Sequence, residues 1–328
     1  MSIFQKESNI LKENDIIDAT ILINEKYKQN SLVYEYTSNA EPIIKEIKPQ
    51  VFTHEYFTNE GSYIYKLNNQ DYYNTNYECT SPALLSSFIR IESGVTLDQS
   101  SEANYSLYYV QKGEGETHTE YGLIKWKKGD IFSLPNTKTT IYHKNNNNSD
   151  FSLLYCVDDS PLLNYLNETP KKSIQKPVYF SNDFLENHIT SIIESDDSNT
   201  KNRTGVLLSD LFMSKQDIIT LSPILWSLYN IIEKQHTQKP HRHNSVAIDL
   251  CTYASEGELV YTLMSKEIDN NGNLINPIKC VWKTGCVFVT PPGWWHSHHN
   301  ESNECAYVFP VQDAGLHTYL RTLDINFS

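Results

Sequence analysis

One short passage occurs twice in this chain, and it constrains the fold more than any other feature. Trp126-Lys127-Lys128-Gly129-Asp130-Ile131-Phe132-Ser133-Leu134-Pro135 recurs as Trp282-Lys283-Thr284-Gly285-Cys286-Val287-Phe288-Val289-Thr290-Pro291, with the Trp, first Lys, Gly, Phe and Pro positions matching. Matching tryptophans and turn-formers at fixed offsets are harder to reach by chance than a shared apolar pattern, so the copies mark two units of one fold. Around them run short segments rich in Val, Ile, Tyr and Phe, such as Ala83 to Ile91 and Tyr105 to Val110, broken by Gly, Pro and Asn. Text of this kind specifies antiparallel β sandwiches or barrels.

A chain of 328 residues has room for two such domains, each with its own core. The expected organisation is a partly helical N-terminal arm over 1–80, a first β domain over 81–160, a connection over 161–221 and a second β domain over 222–328. The helical part of the arm is expected in the apolar clusters between Ile10 and Leu22, and Pro161, Pro170 and Pro177 mark the connection.

Composition narrows the partners. A net charge of −13 repels a phosphate backbone, and no local cluster of Lys and Arg reverses it, so nucleic acid is not an expected partner. No apolar run reaches the roughly 20 residues that span a bilayer, and Met1 to Glu7 shows no secretory leader. No membrane is therefore expected, and a cytoplasmic location is the default. The six cysteines include no C-x-x-C pair and read as mostly reduced thiols, several of them buried. The run Asn145 to Asn148 reads as a solvated loop.

The chemistry concentrates in the second β domain. Pro240-His241-Arg242-His243 opens a strand-like stretch that continues to Asp249-Leu250. On a strand, residues i and i+2 share a face, so His241 and His243 form a pair with Arg242 turned away. Further on, Thr290-Pro291-Pro292-Gly293 marks a turn into Trp294-Trp295-His296-Ser297-His298-His299. A third imidazole returning across the domain completes a facial set; His296 is favoured, and His298 shares its parity. A lone histidine is most often a surface or satisfied core residue. What lifts this group above that reading is the combination of spacing, turn, aromatics and repeat.

Three neutral imidazoles suit Fe(II), Mn, Ni, Cu or Zn by ligand softness alone. On an octahedral ion they leave three adjacent positions, enough for a substrate chelating through two oxygens together with O2. Asp249 shares the ligand-side parity and reads as a fourth ligand, a base behind the ligands, or an unrelated polar contact. Trp226, Tyr229, Trp294 and Trp295 either wall an aromatic substrate or are plain core. Arg321 either pairs a substrate carboxylate or forms an ion pair with Asp313 or Asp324.

These residues resemble a known family. His241-Arg242-His243, Val287-Phe288-Val289-Thr290-Pro291-Pro292 and Trp295-His296-Ser297-His298-His299-Asn300 are similar to the motifs of the gentisate 1,2-dioxygenase family of bicupins, which includes 1-hydroxy-2-naphthoate and salicylate dioxygenases. The resemblance covers the two β regions and implies an all-β bicupin fold, two double-stranded β-helix (jelly-roll) barrels with peripheral helices. It further implies Fe(II) held by His241, His243 and His296, O2 and a hydroxylated aromatic acid as small-molecule partners, ring opening between the carboxyl- and hydroxyl-bearing carbons, and a homo-oligomer. In that family the working site lies in the first cupin. Here the matching passage, Gly94 to Ala103, places Ser100 and Glu102 where the paired histidines stand, and an ungapped repeat alignment pairs His143 with His299.

The expected function is a mononuclear iron dioxygenase for a hydroxylated aromatic carboxylate or similar bidentate acid, with His298 and Asp249 as candidate proton shuttles. The competing readings are a redox-neutral cupin isomerase, lyase or decarboxylase, and a non-catalytic bicupin that binds a small molecule.

Overall fold

Ser152–Asp158 is buried at every residue, so both of its faces need partners, and the architecture supplies them. The computed structural model describes residues 28–41, 44–53, 55, 58–100, 102–147, 149–195 and 203–328. The chain divides into two units, 1–46 and 47–328. The described elements of the first are two 3-10 turns, Lys28–Asn30 and Thr37–Asn39. The helical segment expected between Ile10 and Leu22 lies outside the described residues.

The described residues of the second unit hold four antiparallel sheets that form two sandwiches. In the first sandwich, a six-stranded sheet ordered Val178–Phe180, Ile131–Pro135, Tyr105–Lys112, Ser152–Asp158, Leu85–Ile91 and Tyr63–Lys66 faces a four-stranded sheet ordered Thr96–Gln99, Ile141–Asn145, Glu114–Thr119 and Gly122–Lys127. In the second, a six-stranded sheet runs Gln50–Phe52, Val287–Thr290, Ala247–Tyr253, Ala306–Gln312, Trp226–Ile232 and Thr204–Leu208. It faces a sheet ordered Ile278–Val281, Val260–Ser265, Trp295–Asn300, His241–His243 and Ile325–Phe327, with His236–Thr237 also paired to Trp295–Asn300. Among the described residues five α-helices lie outside the sheets; the longest, Asn182–Ile193, starts at Ser181, whose hydroxyl accepts from the Phe184 amide.

The β units gather strands from beyond the limits read in the sequence. Tyr63–Lys66, from the arm, and Val178–Phe180, from the connection, are the edge strands of the first large sheet. Gln50–Phe52 and Thr204–Leu208 are the edges of the second. Each pair therefore covers edges that would otherwise stand unpaired.

Period-2 alternation assigns the core residues. Ile89, Tyr108, Val110, Leu154 and Cys156 fill the first sandwich together with Trp126 and Ile141. Cys251, Val260, Trp282, Phe288 and Val308 fill the second. The intervening residues of the two large sheets, Leu107, Tyr109, Tyr155, Val157, Ile248, Leu250, Phe309 and Val311, join one continuous cluster between the sandwiches. The repeat's Trp-Lys-x-Gly passage is the turn into the Ile131–Pro135 and Val287–Thr290 strands, and Gly129 and Gly285 both adopt φ 88, a left-handed conformation that glycine takes without a Cβ penalty. Asn145, expected in a loop, instead ends a strand in the interior, its amide donating to the carbonyls of Ile91 and Asp150, each at 2.9 Å.

All six cysteines are free, and all but Cys305 are buried. Among the described residues, no helix is long and apolar enough to cross a membrane.

Candidate metal centre

His241 and His243 stand on one face of the three-residue strand His241–His243, and both are buried. Arg242, between them, turns outward, where its guanidinium lies 3.7 Å from Asp324 and 5.4 Å from the centre of the Trp295 ring. His296 lies directly across the sheet from His241. Pro291-Pro292-Gly293 sets that approach: Gly293, at φ 77, donates its amide to the His243 carbonyl at 2.7 Å. The imidazole centres of His241 and His296 are 3.9 Å apart, those of His243 and His296 4.9 Å, and those of His241 and His243 5.6 Å. One nitrogen from each comes within 4.8 Å of the others, close enough to share one ion, and His298 is not in that set.

The donor chemistry fits a metal. The Nδ1 atoms of His243 and His296 meet the carbonyls of Ser245 at 2.9 Å and Trp294 at 3.0 Å. A carbonyl only accepts, so each Nδ1 carries its proton and each Nε2 keeps a lone pair. His241 Nδ1 meets the His296 carbonyl at 3.2 Å and also abuts the Arg203 guanidinium. A guanidinium only donates, so these two contacts select opposite tautomers, and the carbonyl contact is the one compatible with an Nε2 ligand. Burial keeps the cluster uncharged: it holds His243 down at about 4, and His241 and His296 well below the usual histidine value.

The histidines open onto a cavity of about 240 Å³. Trp226, Leu228, Ile325, Phe327 and Leu207 give it an apolar wall, and Arg203, Asn230, Asp249, His298 and Gln312 are its other polar groups. Asp249 accepts from the Thr290 hydroxyl at 2.6 Å; burial raises its carboxyl to about 7, opposed by that hydrogen bond and by Arg203. Arg203 Nη1 donates to Gln238 Oε1 at 2.9 Å, its Nε has no partner among the described residues, and burial lowers it to about 9.

Of the residues picked out from the sequence, the structure therefore brings His241, His243, His296, His298, Asp249 and Trp226 to one cavity. Tyr229, Trp294, Trp295 and Arg321 do not line it. Tyr229 has the opposite parity to Trp226 and faces the core between the sandwiches, where its hydroxyl bonds Glu186 at 3.0 Å. Trp294 packs on the core beside the Lys266 ammonium. Trp295 alternates with His296 and lies outside, against Arg242. Arg321 caps the last helix in the left-handed conformation and reaches the Tyr319 carbonyl; it pairs with neither Asp313 nor Asp324. Arg203, Asn230 and Gln312 were not anticipated. Strand parity with Trp226 would have found Asn230.

The first sandwich repeats part of this geometry. Trp126 Nε1 donates to Thr117 Oγ1 at 2.8 Å, and that hydroxyl meets His143 Nδ1 at 2.9 Å. Trp282 Nε1 donates to Thr262 Oγ1 at 2.8 Å, and that hydroxyl meets His298 Nδ1 at 2.8 Å. His143 is thus the counterpart of His298, not of His299. Two residues earlier, Ile141 pairs with Gln99 as His296 pairs with His241. Gln99 rather than Ser100 holds the place of the first paired histidine, while Ser100 and Glu102 are exposed.

His143 offers a pH test. Burial lowers it to about 3, below the roughly 6.5 of an unfolded histidine. Between those values the unfolded chain binds the extra proton, so this contribution to stability is complete above pH 6.5 and declines as pH falls. From pH 7 to pH 5, wild type should lose about 2 kcal/mol more than His143→Gln. Urea titrations at the two pH values check this; parallel losses would show that His143 does not remain neutral in the fold.

Two jelly-roll sandwiches, stacked through one sheet each and carrying a histidine cluster inside one of them, define a bicupin. No protein-family model matches the chain, and no curated protein matches it in sequence. Solved structures match the fold. Salicylate 1,2-dioxygenase from Pseudoaminobacter salicylatoxidans, as adducts with gentisate, gives a TM-score of 0.69 at 11% identity over 99% of this chain and 97% of that one. Another structure of the same dioxygenase gives 0.69 at 11%, over 97% and 99%. Vicilin from Corylus avellana (hazelnut) gives 0.52 at 14%, over 84% and 87%. At these identities the likeness is one of fold.

Proposed function

We propose that the second sandwich is the active site of a mononuclear non-haem Fe(II) dioxygenase that cleaves the ring of a hydroxylated aromatic carboxylate, or attacks a similar bidentate organic acid. The observation that carries this reading is the facial cluster of His241, His243 and His296 opening onto a small cavity with an apolar wall and one buried cation. The likeness in fold to salicylate 1,2-dioxygenase supports it. The three Nε2 atoms would hold the metal, which when bound supplies coordination for both substrate oxygens and O2 and a path for electrons between them.

The chain's own residues do the rest. Trp226 and Leu228, with the more exposed Phe327, offer apolar surface to a planar ring. Arg203 brings a positive charge to the end of the cavity where an acid is to be held. Asp249, at about 7, can take a hydroxyl proton from the substrate and return it near neutral pH.

Protein purified without oxygen should retain close to one iron per chain. It should consume O2 with at least one member of a panel of phenolic acids, and His241→Ala should abolish that uptake. Turnover under nitrogen with no oxygen uptake across the panel would replace this reading with a redox-neutral lyase or isomerase. Ligand-induced thermal stabilisation without product would replace it with a binding protein.

A further inference from the structure

We propose that Thr262 and Trp282 are positioning residues that hold His298 in the tautomer with its proton on Nε2, so that His298 presents a hydrogen-bond donor to an anionic oxygen in the cavity and does not join the metal ligands. The donor role rests on the reading above; the tautomer does not.

An indole N–H only donates, so Thr262 Oγ1 accepts from Trp282. Thr262 is fully buried, and among the described residues its hydroxyl has no partner besides Trp282 and His298. Its own proton can therefore go only to His298 Nδ1, which is left as an acceptor with the ring proton on Nε2. Two of the candidate ligands, His243 and His296, are built the other way, with Nδ1 against backbone carbonyls. One cavity thus contains two classes of imidazole, distinguished by what stands behind each ring.

The first sandwich shows what such an Nε2–H binds. There the same Trp126–Thr117–His143 relay ends at Gln99 Oε1, 2.9 Å from His143 Nε2. That oxygen also accepts from the Tyr108 hydroxyl at 3.0 Å, and the amide nitrogen turns to Cys156 Sγ at 3.9 Å, which orients the carbonyl towards the histidine. In the second sandwich the position of Gln99 is held by His241, that of Tyr108 by Asp249, and no described residue accepts from His298 Nε2. The acceptor oxygen that the first sandwich carries within its own chain is missing from the second, where the cavity opens instead. A carboxylate or phenolate oxygen of a bound acid is the chemistry that completes it.

The test is a long-range proton–nitrogen correlation spectrum of the metal-free, full-length protein with nitrogen-15 histidine at neutral pH. His298 is assigned by its disappearance in His298→Asn. Wild type and Thr262→Ser are expected to show His298 wholly in the Nε2–H form, as His143 is, while Thr262→Val is expected to admit the Nδ1–H form. Should Thr262→Val not fold, because it strands the indole N–H, the double variant Thr262→Val/Trp282→Phe removes donor and acceptor together and serves in its place. An Nδ1–H His298 in wild type overturns the proposal, and so does a pure Nε2–H form in the variant lacking the hydroxyl. Failure to bind iron would refute the dioxygenase reading and leave this result standing.

Discussion

Replacing His296 with alanine is expected to weaken the binding of one divalent ion by at least about 100-fold, since even partners behind the ligands are worth roughly 10- to 100-fold. His296 is central to the cluster: it lies nearest to both other imidazoles and connects the His241–His243 strand to the strand across the sheet. Two imidazoles without it cannot form a facial set. The effect is readable without any substrate. An ion that binds only the folded protein stabilises it by about 2.7 kcal/mol at 100 times its dissociation constant. Added Fe(II) or Co(II) should therefore raise the melting temperature of wild type and leave that of His296→Ala unmoved. His236→Ala, which alters an exposed histidine, should behave as wild type. Tight binding retained by His296→Ala would place the metal elsewhere, with His298 the next residue to test.

The second large effect concerns the junction of the sandwiches. Phe309 is fully buried in the second, and its ring centre lies 5.4 Å from that of Tyr109 in the first. Phe309→Ala should cost about 3–5 kcal/mol, the usual range for an aromatic ring deleted from a core. Because the ring belongs to a cluster shared by both sandwiches, the loss should appear as an earlier single transition in urea, followed in parallel by tryptophan fluorescence and circular dichroism. A cost below about 1.5 kcal/mol, or two separated transitions in wild type, would show that the sandwiches are independently stable.

The sequence was most legible where local geometry decides the outcome. The repeated Trp-Lys-x-Gly turn gave two units of one kind, and the H-x-H spacing gave a shared face, because strand parity follows from the backbone alone. It was less legible where alignment or tertiary pairing decides. His143 was matched to the wrong histidine because the stretch from Trp126 to His143 is one residue longer than that from Trp282 to His298. Gln99 was missed for a related reason: Gln238 lies opposite His298 and His241 opposite His296, so an extra residue bulges between them at Lys239-Pro240, which an ungapped comparison does not show.

Parity separates Trp226 from Tyr229 but does not say which of them faces the cavity; that depends on the first sandwich standing behind the sheet. Arg203 had no local pattern to announce it. It reaches the histidines only because Thr204–Leu208 pairs with Trp226–Ile232, a long-range choice made outside the segment read as the second domain.

That pairing, with its counterpart at the other end of the sheet, bears on how this chain can change over generations. The sheet behind the histidines is closed on one side by Gln50–Phe52, encoded ahead of the entire first sandwich, and on the other by Thr204–Leu208, encoded after it. A gene segment covering only the histidine-bearing strands would therefore give a product with two bare edges and no Arg203. That segment alone does not contain the complete sandwich. Nor can the first sandwich be discarded, although Gln99 and Ile141 stand where two of the histidines would be, because it lies between the two edge strands in the gene and forms half of the shared core in the folded protein. The compact unit is the whole of residues 47–328, and the site in one half rests on a core that the other half completes.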